Sequence, residues 1–239
     1  TGDGGIPAPG EAAAGARVLR HIPDPREEPA IWAGRTILVV GAGHSAQTAI
    51  CDLAAFAAGH PGTRSLSALR SPRPRWHIDP DDPLPERSGL TARAAEIAGA
   101  EDSPVEVLPG VVVESLRNLD DGVEVELSDV DGGRSRHAVD LVVSLTGFVG
   151  DASLYRQLQV HECYATSGPM KLAAALIGGS SDCLAQESHG AETLVNPEPG
   201  FFILGVKSYG RTSSYLMQIG WSQVDEVFSL IAPRAAAAG

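Results

Sequence analysis

A glycine-rich turn follows the first strongly hydrophobic run of the sequence. Thr36–Val40 is a continuous run of β-branched and aliphatic residues, typical of a strand buried on both faces of a parallel sheet. Gly41, Gly43 and Ala46 follow it with Gly-x-Gly-x-x-Ala spacing. Gly41 permits a tight turn, Gly43 lets a diphosphate approach the backbone, and Ala46 keeps the next helix close to the sheet. The spacing predicts a dinucleotide site, with an ordinary glycine turn as the alternative.

A helix is predicted directly after this turn. Apolar residues recur at helical spacing over residues 46–57, and Gly59 follows as a stop signal. Free amides at the helix N-terminus carry partial positive charge that favours phosphate binding. We expect His44 or Ser45 to cap this end of the helix.

The end of the second strand selects the coenzyme. Residues 65–69 are predicted to form a short strand, and an NAD site would place Asp or Glu at its end. Arg70 and Arg73 occur there instead, with Arg75 close behind. Arginines favour the 2′-phosphate of NADP through charge-assisted hydrogen bonds. A solvated basic loop is the alternative interpretation.

The remaining pattern is that of an α/β protein. Alternating residues separated by Asp-Gly and Gly-Gly turns predict a β-meander. Residues 1–33 are rich in Gly, Pro and Ala and are interpreted as a connecting segment. The predicted later elements are a helix at 90–100, strands at 105–108, 111–119, 123–127, 140–145 and 201–206, and a helix at 212–231.

Composition and charge exclude several classes of function. The 239 residues include 18 Lys plus Arg and 30 Asp plus Glu, for a net charge of −12, which disfavours nucleic acid as a partner. No apolar run approaches the ~20 residues needed to span a membrane. Cys51, Cys163 and Cys183 are widely spaced, which predicts neither a disulfide framework nor a metal cluster and fits a reducing cytoplasm. We interpret Cys163 and Cys183 as structural or incidental, because no neighbouring motif would lower their pKa.

Four short motifs follow one another along nearly the whole chain. In these motifs and in their order, the chain resembles the flavoprotein family with two dinucleotide-binding domains, which includes thioredoxin-reductase-like and flavin-monooxygenase-like NADPH enzymes. The similarity is most specific over residues 34–53 and 201–223 and vague over 84–114 and 155–187. The motifs are Trp32–Arg35, Gly41–Ala46, Leu145–Phe148 and Gly205–Arg211.

The resemblance implies a Rossmann-like NADP-binding domain with a β-meander at residues 34–147. Residues 148–239 would be the returning C-terminal part of an FAD-binding Rossmann-like domain, and residues 1–33 a linker and the tail of a truncated FAD domain. The implied activity is that of an FAD-dependent NAD(P)H oxidoreductase, reductase or monooxygenase. It would transfer hydride from NADPH to flavin and on to a small substrate or oxygen. The isolated chain is expected to bind NADPH better than FAD.

The resemblance also implies binding residues outside the glycine turn. Thr146 and Gly147 would mark a hinge between domains, and Gly205 would lie near the ribityl-phosphate chain of FAD. Lys207, Ser208 and Arg211 would contact FAD or the substrate. Without the resemblance, both segments would be interpreted as ordinary polar turns. No catalytic residue is assigned.

The sequence lacks the characteristic motifs of two other enzyme classes. Without Cys-x-x-Cys, a dithiol relay within this chain is excluded, and without Tyr-x-x-x-Lys the short-chain dehydrogenase mechanism is disfavoured. Two alternatives stay open, namely a non-catalytic NADP-binding module and a flavin-free NADP dehydrogenase. We expect a small-molecule substrate and no nucleic acid or membrane partner, with a homodimer as a possible assembly.

Overall fold

The computed structural model describes residues 2–73, 84–177, 188–212 and 215–237, and it divides into two compact units. One unit is Gly4–Gly147, and the other combines Thr1–Asp3 with Phe148–Gly239. The strands are β1 (Gly2–Gly4), β2 (Val18–Leu19), β3 (Thr36–Val40), β4 (Arg64–Leu69), β5 (Val105–Pro109), β6 (Val111–Leu119), β7 (Gly122–Asp129), β8 (Arg134–Val139), β9 (Leu141–Ser144) and β10 (Phe148–Gly150). The α-helices are α1 (Glu11–Ala14), α2 (Pro29–Trp32), α3 (His44–Ala57), α4 (Pro85–Gly99), α5 (Met170–Ile177) and α6 (Met217–Ala237).

A five-stranded parallel sheet with the order β2-β9-β3-β4-β5 forms the centre of the first unit. Its middle strand, β3, is buried on both faces, as the run of aliphatic residues predicts. Ile37 and Val39 pack with Ile50 and Leu53 of α3 in one apolar cluster. Leu38 belongs to a second cluster, which includes the inward side chains of the meander. The α/β fold class is therefore confirmed.

The meander is a three-stranded antiparallel sheet, β6-β7-β8. The prediction that its third arm runs on through residues 140–145 is wrong, because β8 ends at Val139 and the next residues leave for the other sheet. Leu141–Ser144 forms β9, which lies parallel to β3. Asp140 fixes the change of direction, since its carboxylate accepts hydrogen bonds from the Thr36 amide and the Arg35 guanidinium, both at 2.8 Å.

The N-terminal segment is more than a connection. The two residues of β2 pair with β9 and extend the parallel sheet by one strand. Arg17 donates hydrogen bonds to three backbone carbonyls at the β6–β7 turn, at 2.7 to 2.9 Å. The half-buried Arg20 forms a two-point ion pair with the buried Glu11, at 2.6 and 2.8 Å. Two residues are too short a run to show strand periodicity, so sequence analysis missed this element.

The second unit contains a two-stranded ribbon, β1-β10, and the helices α5 and α6. The predicted strand at 201–206 is wrong: Phe202 forms a single bridge with Val195, and Gly205–Tyr209 is a 3₁₀-helix. Apart from the two-stranded ribbon, the described residues of this unit contain no sheet on which such a strand could form its ladder. The helix predicted from residue 212 begins at Met217 and continues to Ala237.

Two glycines with nearly the same φ test how α1 packs on β6. Gly10 has φ +85° and Gly132 has φ +83°, so alanine is strained at both positions. A Cβ on Gly10 would overlap the carbonyl oxygen of Leu116, whereas a Cβ on Gly132 would meet open space. We therefore expect Gly10→Ala to lower the free energy of unfolding by ~1 to 3 kcal/mol more than Gly132→Ala. Urea unfolding followed by circular dichroism measures the difference, and equal losses would contradict this packing.

Candidate dinucleotide-binding site

Three chain segments meet at one edge of the parallel sheet. Strands β4, β3 and β9 are parallel neighbours, so their carboxyl ends lie side by side. The segments that leave these ends are Gly41–Ala46 after β3, Arg70–Arg73 after β4, and Leu145–Gly147 after β9. Ligands of open α/β sheets bind at this edge, outside the carboxyl ends of the strands. The fold thus brings together the predicted residues of the first unit.

Gly41 makes the turn out of β3 under two constraints. Its φ is +131°, a conformation that side chains disfavour, and its amide donates a 3.2 Å hydrogen bond to the carbonyl of Ala68. An added Cβ would overlap the carbonyl oxygen of Leu145 and would lie 3.6 Å from the Cβ of Ala46. Only glycine lets β3, β9 and the start of α3 approach this closely.

Gly43 is the N-cap of α3, in an extended conformation with φ −78° and ψ 176°. The prediction that His44 or Ser45 caps the helix is wrong, because both lie in its first turn and no side chain of the described residues bonds to this end. The amides of the first turn have no intrahelical acceptor in any α-helix, and here no side chain of the described residues takes that place. The Cβ direction of Gly43 is open, and Ala46 is fully buried against the sheet. The geometry fits a diphosphate resting on bare backbone at a helix N-terminus.

Arg70 and Arg73 are exposed at the end of β4. Their loop is held at two points: the Ser71 hydroxyl donates to the Arg73 carbonyl at 2.7 Å, and the Gly110 amide donates to the Ser71 carbonyl at 3.0 Å. Arg75 lies outside the described residues. Two exposed guanidinium groups therefore flank the glycine turn in a chain of net charge −12.

Thr146 and Gly147 leave β9 on the other side of the turn. Both are exposed, and Gly147 has φ +91°. The Thr146 hydroxyl lies against Gly5, so closely that a Cβ on Gly5 would overlap it. The Arg20 guanidinium donates to the Gly5 carbonyl at 3.2 Å, which ties this contact to the Glu11–Arg20 ion pair.

Ser208 belongs to a closed hydrogen-bond network in the second unit. Its side chain is buried, and its hydroxyl donates to the Gly205 carbonyl at 2.8 Å and accepts from Gln223 Nε2 at 2.9 Å. The Gly205 amide donates to Gln223 Oε1 at 2.8 Å. The serine hydroxyl is thus engaged within the protein rather than presented to a ligand. Gln223 was missed, although a polar residue midway between the apolar Ile219 and Val227 on one helix face is a signal that could have found it.

The two basic residues of the same segment differ in their surroundings. The Lys207 ammonium donates to the Asp151 carbonyl and lies 4.7 Å from the centre of the Tyr155 ring. Arg211 keeps an exposed side chain, while its amide donates to the Thr166 carbonyl at 2.7 Å. Lys207 is half-buried, so Arg211 is the more exposed of the two.

Cys163 is less inert than the sequence suggested. Hydrogen bonds from the Thr166 hydroxyl and from the backbone of Thr166 and Ala165 lower the pKa of its thiol, so the interpretation that nothing nearby depresses it is wrong. Burial raises the pKa of the Cys51 thiol. Cys183 lies outside the described residues.

Two other kinds of site are missing from the ranges that the structure describes. No three His, Cys, Asp or Glu side chains there are grouped so that they could hold a metal ion. No helix in the same ranges combines the length and the apolar composition needed to cross a membrane.

Replacement of tyrosine by phenylalanine should have opposite effects on stability at two buried positions of the second unit. The Tyr209 hydroxyl has no hydrogen-bond partner among the described residues, and burial raises its pKa. The Tyr155 hydroxyl donates a 2.6 Å hydrogen bond to the Glu162 carboxylate. We expect Tyr209→Phe to leave the free energy of unfolding unchanged or raise it by up to ~1 kcal/mol, and Tyr155→Phe to lower it by ~1.5 to 3 kcal/mol. Chemical unfolding of both variants tests this, and losses of equal size would contradict it.

Among known proteins, matches to this chain come only from the comparison with solved structures. No protein-family model and no curated protein sequence matches the chain. Bacillithiol disulfide reductase Bdr (YpdA) from Bacillus cereus matches with a TM-score of 0.65 and 18% identity, covering 98% of this chain and 59% of that one. Thioredoxin reductase from Lactococcus lactis matches with a TM-score of 0.59 and 16% identity, covering 93% and 60%.

A third match belongs to a different class of enzyme. DfoA, the FAD-bound cadaverine monooxygenase from Erwinia amylovora, has a TM-score of 0.51 and 16% identity, over 72% of this chain and 49% of that one. The chain thus spans about three fifths of the two reductases, at 59% and 60% of their length. The resemblance seen in the sequence motifs is confirmed at the level of fold, and the chain has the α/β fold of the thioredoxin-reductase-like flavoproteins.

Proposed function

We propose that the chain provides the NADPH-binding domain and the C-terminal part of the flavin domain of an FAD-dependent NAD(P)H oxidoreductase. The observation that carries the proposal is the N-terminus of α3, which follows Gly41 and Gly43 and to which no side chain of the described residues bonds, with Arg70 and Arg73 at the same sheet edge. The likeness in fold to flavoprotein reductases and to a flavin monooxygenase supports a redox role.

The residues of the first unit act by binding and orienting the coenzyme. The amides of the first turn of α3 donate to the diphosphate, and the helix dipole adds favourable charge. The guanidinium groups of Arg70 and Arg73 bind the 2′-phosphate, which distinguishes NADPH from NADH. Thr146 and Gly147, on the opposite side of the turn, border the nicotinamide half. Positioning is all that hydride transfer requires of these side chains.

For the flavin, the described residues of the second unit provide a smaller set of contacts. Arg211 is exposed and Gly205 has φ +68°, whereas the polar groups of Lys207 and Ser208 are engaged within the protein. We therefore assign to Gly205 and Arg211 the contacts of this chain with FAD. Held by these residues, NADPH would supply the hydride and FAD the redox chemistry for reduction of a small substrate or oxygen.

A non-catalytic NADP-binding module is the second candidate. The engagement of Lys207 and Ser208 favours it, as does the fact that the described part of the second unit has no sheet larger than the two-stranded ribbon. NADPH binding without any NADPH oxidation after FAD is added would support this candidate over the oxidoreductase.

Substitutions at the two glycines of the turn should distinguish an effect on coenzyme binding from an effect on folding. Gly43 has an ordinary φ and an open Cβ direction, so Gly43→Ala should lower the free energy of unfolding by no more than ~1 kcal/mol, the cost of alanine in place of glycine at an N-cap. The added methyl group occupies the path of the diphosphate, so we expect the Kd for NADPH to rise at least ~10-fold. Gly41→Ala should impair both properties. Isothermal titration calorimetry measures the binding.

Gly59→Ala is the matched control for this experiment, because its Cβ makes only an ordinary contact at the far end of α3. It should retain wild-type binding and stability. Unchanged NADPH affinity in Gly43→Ala would contradict the placement of the diphosphate.

The two arginines predict a preference between coenzymes. Removing both side chains, in Arg70→Ala/Arg73→Ala, should raise the Kd for NADPH ~10- to 100-fold, because charge-assisted hydrogen bonds to the 2′-phosphate are lost. The Kd for NADH should change less than ~3-fold. Arg134→Ala/Arg136→Ala, on the exposed meander strand β8, removes the same charge and should change neither constant. An equal loss of affinity for NADPH and NADH would show that these arginines do not bind the 2′-phosphate.

A further inference from the structure

Two arginines flank the short strand β2, one at each end. Arg17 precedes the strand, and its guanidinium donates to three carbonyls at the β6–β7 turn. Arg20 follows the strand. Because β2 is parallel to β9, with Leu19 in register with Val143, Arg20 leaves the sheet at the same edge as Thr146. A fourth chain segment therefore reaches the edge at which the candidate dinucleotide site lies.

The Arg20 guanidinium joins a buried carboxylate to the backbone beside Thr146. Its Nε and Nη2 atoms donate to the two oxygens of Glu11 at 2.6 and 2.8 Å, and its Nη1 atom donates to the Gly5 carbonyl at 3.2 Å. One Glu11 oxygen also accepts the Ala8 amide at 2.9 Å. Glu11 is 8% exposed, so its charge relies on these donors rather than on water. Together the contacts hold the segment from Gly5 to Ala8 in place.

This segment confines the Thr146 side chain. A Cβ on Gly5 would overlap the Thr146 hydroxyl and would lie 3.5 Å from Arg20 Nη1. Because glycine lets the two segments meet this closely, a movement of the backbone at Gly5 changes the space that is open to the threonine hydroxyl. Thr146 is itself exposed, and Gly147 follows it with φ +91°. The position of an exposed side chain at the sheet edge thus depends on a buried ion pair.

We propose that Glu11 and Arg20 are positioning residues for the nicotinamide half of NADPH, acting through Gly5 and Thr146. The inference rests on the proposed function, in which Thr146 borders that half of the coenzyme. Neither Glu11 nor Arg20 is presented to the coenzyme, because the carboxylate is buried and all three guanidinium nitrogens donate to oxygens of the protein. The pair limits the motion of the site edge before the coenzyme arrives, which reduces the entropy lost when the nicotinamide half is held for hydride transfer.

Calorimetry with two ligands tests the proposal. NADPH contains both halves of the coenzyme, whereas 2′-phospho-ADP-ribose lacks only the nicotinamide ring. Arg20→Lys keeps the positive charge but loses the planar fork that reaches both Glu11 oxygens and the Gly5 carbonyl. The Kd for NADPH should therefore rise ~3- to 10-fold, while the Kd for 2′-phospho-ADP-ribose changes less than ~2-fold. Glu11→Gln, which removes the charge of the other partner, should give the same pattern.

Arg17→Lys is the matched control, because it makes the same change at the other end of β2 and leaves the contact with Thr146 intact. It should lower the midpoint of urea unfolding, since hydrogen bonds are lost, and leave both dissociation constants within ~2-fold of wild type. Equal losses for the two ligands in Arg20→Lys and Glu11→Gln, or no loss for NADPH in either, would overturn the proposal. A wild-type chain that binds neither ligand would overturn the proposed function, and this inference with it.

A double-mutant cycle tests the route through Thr146. Thr146→Ala removes the hydroxyl that lies against Gly5. If Arg20 acts through this group, Arg20→Lys/Thr146→Ala should bind NADPH as well as the weaker single variant does, within ~2-fold. Losses that multiply in the double variant would overturn this route. Circular dichroism verifies that each variant is folded.

Discussion

The parallel hydrogen bonding of β3 between β4 and β9 is the constraint on which the candidate site depends. Leu38 on β3 is in register with Leu66 on one side and Val142 on the other, and all three are buried. Because the strands run in the same direction, everything that leaves their carboxyl ends does so at one edge. The glycine turn, the arginines and Thr146 become neighbours for this reason alone, although up to 105 positions separate them in the sequence.

Close approach of backbone to backbone completes the arrangement. Gly41 lets α3 start directly beside the carbonyl of Leu145, which brings the amide end of the helix to the sheet edge. On the far side, the segment containing Gly5 is held against Thr146, and the Glu11–Arg20 ion pair holds that segment in turn. A buried ion pair contributes little net stability, but removing one partner would leave the other unpaired. The role of this ion pair is to fix the position of the segment that contains Gly5.

The second unit is organised by polar contacts as much as by its apolar core. Gln223 joins α6 to the 3₁₀-helix Gly205–Tyr209 through the amide of Gly205 and the hydroxyl of Ser208. The apolar run at 201–206 forms no strand ladder, and these bonds join the 3₁₀-helix at its end to α6. The same helix buries Ile219 and Val227 on its inward face and exposes Trp221 and Phe228 on its outward face.

The sequence by itself determined the local elements whose signals are local. The aliphatic run of β3, the glycine spacing, the helix α3 and the meander turns follow from residue types a few positions apart, because backbone conformation and hydrophobic periodicity are short-range properties. Only the tertiary structure decided that Leu141–Ser144 leaves the meander for the parallel sheet, that Val18–Leu19 joins it, and that residues 201–206 do not form a strand. Strand pairing is a contact between distant segments, so it depends on which partners are present. The burial of Ser208 has the same origin, because its partner Gln223 lies on a separate helix, 15 positions along the chain. The lowered pKa of Cys163 is instead a local effect, since its partners Ala165 and Thr166 follow it closely in the sequence.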